Sequence, residues 1–172
     1  MQRHGWRPDH YTFPFVLKAS GKLPSFLRGA SVHAVVCANG FETLSPMCLF
    51  CNAVVAMYGR CGAFDEARQV FDDLCERGIC DVVSWNTIVA AYVQGGDPRN
   101  ALKLSDRMID DRRICPDAVS VVNILPACAS VRAWSQVKEV HGFAVRSGLV
   151  EDVFVGNAVV DMHACFRTAL WV

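Results

Sequence analysis

Three asparagines stand at one place in a phrase that the chain repeats: Asn52 in FCNAVVAMYGRCG, Asn86 in SWNTIVAAYVQGG and Asn157 in VGNAVVDMHA. A side-chain amide carries both a donor and an acceptor, so it can recognise a partner that offers the complementary pair. An asparagine early in a helix is most often a cap or a solvated turn residue. Here the amide keeps its register through three otherwise apolar segments, and two copies are followed by a unit-ending aspartate, Asp81 and Asp117.

Other residues could do different chemistry. Cys48 and Cys51 have a Cys-x-x-Cys spacing, and Cys75 with Cys80 could form the other half of a zinc site. Structural zinc wants two close pairs. These pairs fall at the start of one helix and the end of its partner, read along the chain path as opposite ends of a unit. No metal and no cofactor is therefore expected, and a thiol redox role is a weaker alternative. The other cysteines, such as Cys37, Cys61 and Cys128, lie in helical patterns. Free cysteine behaves there as a small hydrophobe, which favours reduced thiols and an intracellular compartment. His33 and His141 match each other in register and read as packed helix histidines. With no Ser/His/Asp spacing and no glycine-rich phosphate loop, the chain reads as a binder and not a catalyst.

The elements that position these residues are repeats. With Asn52 set on Asn86, Val54 meets Ile88, Tyr58 meets Tyr92, Gly62 meets Gly96, Ala67 meets Ala101, Val70 meets Leu104 and Leu74 meets Met108. A second phrase type pairs residues 10–41 with 118–149, where Val32 meets Val140, His33 meets His141 and Gly40 meets Gly148. Trp85, Ile88, Val89 and Tyr92 stand at i, i+3, i+4 and i+7, one face of a helix. Ala67, Val70, Phe71 and Leu74 repeat that spacing in a second helix, and glycines mark the turn between. Pro98 suits a first helical turn, where a missing N–H costs nothing. The expected fold is all-α, a right-handed superhelical solenoid of antiparallel helix pairs. Ser105 occupies the place of Phe71, so that seam should be underpacked, with Leu104 or Met108 filling part of the gap.

Composition agrees. Apolar residues make up 52% of the 172 and charged ones 20%, ample for a core, and 17 positive charges balance 17 negative ones. A neutral chain lacks the basic field of unspecific nucleic-acid binders, so any such role needs placed contacts. No apolar run approaches the ~20 residues that span a bilayer, so no membrane role is expected. No Arg/Ser-rich, acid-poor leader is visible.

With its units laid out, the chain resembles a plant pentatricopeptide repeat protein of the subclass that alternates P, L and S repeats. The residues that carry the resemblance are DVVSWNTIVAAY, the endings Pro8-Asp9 and Pro116-Asp117, NILPACASVRAWSQVKEVHGFAVRSGL and DVFVGNAVVDM. It assigns residues 1–9 to the end of a P repeat, 10–47 to L, 48–81 to S, 82–117 to P, 118–152 to L, and 153–172 to a truncated S repeat with a divergent tail. Phe166 and Arg167 fall at the places of Gly95 and Gly96, so the chain looks like a fragment of a longer protein.

The resemblance implies single-stranded RNA as partner, one base per P or S repeat, read by the fifth residue and the last. Helical-repeat RNA readers use a few side chains per base as a code. Carried over, Asn52 with Asp81 reads one nucleotide, Asn86 with Asp117 the next, and Asn157 a pyrimidine. Such Asn/Asp pairs resemble uracil readers, and the L repeats place Pro14 and Val122 where no side-chain hydrogen bond to a base is possible. The implied preference is 5′-U-U-N-Y, for an organellar RNA in mitochondrion or chloroplast, with RNA-editing proteins as further partners and no DNA role. Longer relatives end in a deaminase-like editing domain whose His-x-Glu and Pro-Cys-x-x-Cys are missing here. The rival readings are a tetratricopeptide-like protein scaffold, whose Trp, Leu-Gly and Tyr signature is missing, and a non-functional truncated fragment.

Overall fold

A computed structural model describes residues 12, 16, 30–31, 33–34 and 47–169, the side chains of 47 and 166–169 aside. The expected repeats over 1–9 and 10–47, and Pro14 within them, lie essentially outside the described residues. Among the described residues every regular element is helical: α1 (Met47–Arg60), α2 (Phe64–Glu76), α3 (Val82–Gln94), α4 (Pro98–Asp110), α5 (Ala118–Ser130), α6 (Trp134–Arg146), a 3₁₀ turn (Leu149–Glu151) and α7 (Val153–Ala169). The chain divides between Ala91 and Tyr92 into two compact units.

In the first unit α1 packs on α2. Val54, Met57, Ala67, Phe71, Leu74 and Ile88 are buried to 1% exposure or less. Phe71 meets Trp85 edge to face, ring centroids 4.8 Å apart at 76°. Gly59 is where α1 comes closest to α3, since a Cβ there would run into Ala91. In the second unit α5 is central, packed against α4, α6 and α7. Its core includes Leu104, Met108, Val121, Leu125, Val137 and Val155.

One tertiary contact recurs in both units, as the repeat register requires. His33 packs edge-on to Tyr58 (5.7 Å, 76°), and its Nδ1 lies 3.0 Å from the Tyr58 hydroxyl. His141, the match of His33, packs edge-on to His163 (5.4 Å, 74°), which stands at the place of Tyr58. The two histidines are packed helix residues, as their pattern indicates.

The turns inside the helix pairs share one design. The N–H groups of Ala63, Asp97 and Ala133 donate back to the carbonyls of Tyr58, Tyr92 and Cys128 at 2.9–3.0 Å. This closure needs a left-handed residue just before the donor. Gly62 (φ 73°) and Gly96 (φ 81°) supply it, but the third turn uses Arg132 at φ 55°. A side chain there costs roughly 1–2 kcal/mol, while glycine costs unfolded-state entropy of about 0.4–1 kcal/mol. Arg132→Gly is therefore expected to raise the unfolding free energy by up to ~1 kcal/mol; a lower denaturation midpoint would contradict this. At the next equivalent place stands Arg167, and α7 runs through it without a turn to Ala169, 17 residues in all.

The seam at Ser105 is underpacked, but not in the way expected. Ser105 is 2% exposed and donates to the Ala101 carbonyl at 2.9 Å. Beside it lies a cavity of ≈ 300 Å³ lined by Ser105 and Val121, the register matches of Phe71 and Trp85. Leu104 and Met108 are buried at 1% yet do not line the cavity, which corrects the expectation that they fill it. They lie on a neighbouring row of α4, and a side chain cannot turn around its own helix.

Candidate functional site

The site is built where one repeat ends and the next first helix begins. Asp81 precedes α3 and Asp117 precedes α5, each followed three residues later by a serine. Ser84 donates to Asp81 Oδ1 from its backbone (2.8 Å) and its hydroxyl (2.9 Å), and Ser84 Oγ accepts from the Asp81 N–H at 3.4 Å. Ser120 and Asp117 repeat this reciprocal box at 2.9, 3.0 and 3.1 Å. Each box satisfies orphan donors at a helix start and fixes the carboxylate in one place.

Burial works against the Asp81 charge, but the bonds from Ser84, with Cys48 and Asn52 alongside, hold the carboxyl below its usual range. Its stabilising contribution is thus complete above the unfolded value near pH 4 and lost as pH falls through the folded one. Asp81→Ala should cost about 1 kcal/mol at pH 7, shrinking in acid, whereas Asp81→Asn, an equally good cap, should be near neutral. Urea denaturation at pH 7 and pH 3 checks both; equal losses for Ala and Asn would contradict the capping role.

A third aspartate, Asp152, has no asparagine at the amide place of its own repeat to mark it in the sequence. Its Oδ1 accepts from the N–H groups of Phe154 (2.8 Å) and Val155 (3.2 Å) at the start of α7. It ends the repeat whose amide place is held by Val122, so an aspartate persists where the asparagine does not. Capping alone accounts for the aspartates; it does not account for the asparagines.

Asn52 and Asn86 are more covered than an open groove residue would be, each 7% exposed, while Asn157 is exposed. The Asn52 amide nitrogen reaches Cys48 Sγ at a weak 3.5 Å, and its buried Oδ1 has no hydrogen-bond partner among the described residues. An unpartnered buried acceptor costs about 1–3 kcal/mol, so the fold carries this amide at a loss. One turn before each amide place, on the same face, stands an exposed apolar side chain: Leu49 (53%), Val83 (51%), Val119 (54%) and Phe154 (75%). The signal for these was present in the sequence as apolar residues at i−3 from the amide place.

The cysteine geometry differs from the sequence reading. In an antiparallel pair the start of the first helix and the end of the second share one end, so Cys48 lies 3.4 Å from Ser84 Oγ and near Cys80. The adjacent Cys75 thiol and burial push the Cys80 thiol well up, and burial raises Cys48. Among the described residues no group of three or more His, Cys, Asp or Glu is arranged to hold a metal ion. None of the described helices is long and apolar enough to cross a membrane.

Residues 50–79 and 83–112 each match the PPR repeat. Over 164 residues the chain is 43% identical to pentatricopeptide repeat-containing protein At5g16860 of Arabidopsis thaliana, covering 95% of this chain and 19% of that protein. It is 38% identical to the chloroplastic protein At1g11290 (91% and 18%) and 32% identical to the mitochondrial protein At3g09040 (95% and 15%), both of Arabidopsis thaliana. The chain thus spans a fifth or less of the length of these three relatives. Among solved structures, the pentatricopeptide repeat protein PPR10 in complex with an 18-nt psaJ RNA element superposes with a TM-score of 0.76 at 26% identity, over 94% of this chain and 23% of that one.

Proposed function

The chain belongs to the pentatricopeptide repeat proteins, and from that premise we propose that it binds single-stranded RNA with base selectivity at its asparagine-bearing repeats. The observation that carries this reading is the pairing, one helical turn apart on the same face, of an amide with an exposed apolar side chain: Asn52 with Leu49, Asn86 with Val83, Asn157 with Phe154. A splayed-out base needs an edge partner and a surface for its flat face, and each pairing offers both. Asn52 and Asp81 form one reader, Asn86 and Asp117 the next, in each case with uracil as the preferred base. The repeat over 118–152 offers Val122 and reads none. The finer subclass of alternating P, L and S repeats fits this spacing.

The working context is RNA processing or editing in a chloroplast or mitochondrion, since relatives carry both organelle names. The RNA-bound solved relative supports single-stranded RNA as the partner class. Affinity rests on placed contacts, because a chain of zero net charge releases few counterions on binding. The test is an anisotropy titration with U-rich and A-rich RNA strands, and with the DNA counterpart of the U-rich strand. Tighter binding of U-rich RNA than of either control, with a shallow salt dependence, is expected. Equal affinity for all three would sink the reading.

A further inference from the structure

The cavity beside Ser105 reaches Pro116 and Ser120 next to the Asp117 box, and the rest of its lining has a chemistry of its own. It lies within the second unit between α4 and α6, floored by α5. Where the first unit sets Phe71 against Trp85, this seam sets Ser105 against Val121, and the missing aromatic bulk leaves ≈ 300 Å³. Leu102, Ile124 and Phe143 make the remaining wall apolar, and Ile109 at its lip is 58% exposed. Asp106 and Glu139 line the same cavity. Neither carboxylate has an ion-pair or hydrogen-bond partner among the described residues. Burial and the nearby charges of Asp110 and Glu139 raise the Asp106 carboxyl, and within the lining the two carboxylates outnumber the one cation, although Arg99 and Lys103 stand beside Asp106 on its other side. Arg146, the cation in this lining, folds its guanidinium back along α6 toward Gly142, one turn from Glu139, without an ion pair to either carboxylate among the described residues.

We propose that this cavity is a docking site for a partner protein segment that inserts one bulky apolar side chain and sets an adjacent lysine or arginine against Asp106 and Glu139. The volume is at the small end of ligand sites, the size for one side chain and not for a large cofactor. The charge selects the occupant. An unpaired carboxylate couple attracts a cation and repels the phosphates of RNA, so this face complements a basic-apolar peptide. The proposal stands independently of RNA reading.

The probe is a fluorescein-labelled, terminally blocked hexapeptide, Gly-Ser-Phe-Arg-Ser-Gly, titrated into the whole chain by anisotropy. Saturable binding is expected, weakened about tenfold or more when Arg is replaced by Glu or Phe by Ala. Ser105→Phe restores the side chain of the sister repeat and should abolish peptide binding while leaving the RNA titration unchanged. Asp106→Asn with Glu139→Gln, both at exposed positions, should reduce the arginine peptide to the affinity of the glutamate one. Undiminished binding to Ser105→Phe would overturn the proposal. So would equal binding of the Arg and Glu peptides, which would mark a merely apolar hole, or displacement of the peptide by single-stranded RNA, which would mark a nucleic-acid surface.

Discussion

Phe71→Ala is expected to lower the unfolding free energy by about 3–5 kcal/mol, the range for truncating a fully buried aromatic ring. Phe71 is 0% exposed and meets Trp85, itself 3% exposed, edge to face. Its loss removes both the transfer term and an aromatic contact of about 0.5–1.5 kcal/mol. The neighbouring repeat already lacks that ring: at Ser105 a cavity persists because Leu104 and Met108 cannot swing into it. Chemical denaturation should therefore show a sharply lower midpoint for Phe71→Ala. A loss under about 1 kcal/mol would mean that the seam can collapse, contrary to the packing described.

Asn52→Val should move stability and RNA affinity in opposite directions. Removing the buried Oδ1, which has no partner among the described residues, relieves a desolvation cost of about 1–3 kcal/mol that outweighs the weak contacts of the amide nitrogen with Cys48 and Asp81, so the protein is expected to become more stable. The substitution is already tolerated in this chain, where Val122 holds the equivalent place in α5. Uracil selectivity at one position should fall, each lost amide contact being worth about 1 kcal/mol. Combined with Asn86→Val, the U-over-A preference should drop by about thirtyfold, the equivalent of about 2 kcal/mol. A purely structural role for Asn52 predicts the reverse sign, destabilisation with unchanged base preference, so the two measurements together separate the accounts.

The helix pairs and their turns were legible because the constraint is local. Only a few residues tolerate a left-handed backbone, and Gly62 and Gly96 announce the turn wherever they occur. Arg132 hides the same turn, since nothing in its residue type signals φ 55°; only its register does. The asparagine register was equally plain, but the covering of Asn52 and Asn86 was not, because burial depends on neighbours distant in sequence. The nearness of Cys48 to Cys80 is hidden in the sequence for a related reason: the two are far apart along the chain, and an antiparallel pair folds the one onto the other. The missing ring at Ser105 foretold a gap, while the direction in which Leu104 and Met108 point decided that it stays open.

The central claim is that one repeat reads one base through its asparagine. Its most direct test is a set of RNA strands differing from a U-containing parent at one nucleotide each, titrated against the native chain and against Asn86→Thr. The account predicts that Asn86→Thr flattens discrimination at a single position, by about fivefold, and leaves the position read by Asn52 untouched. A uniform loss across all positions, or no change at any, would contradict it.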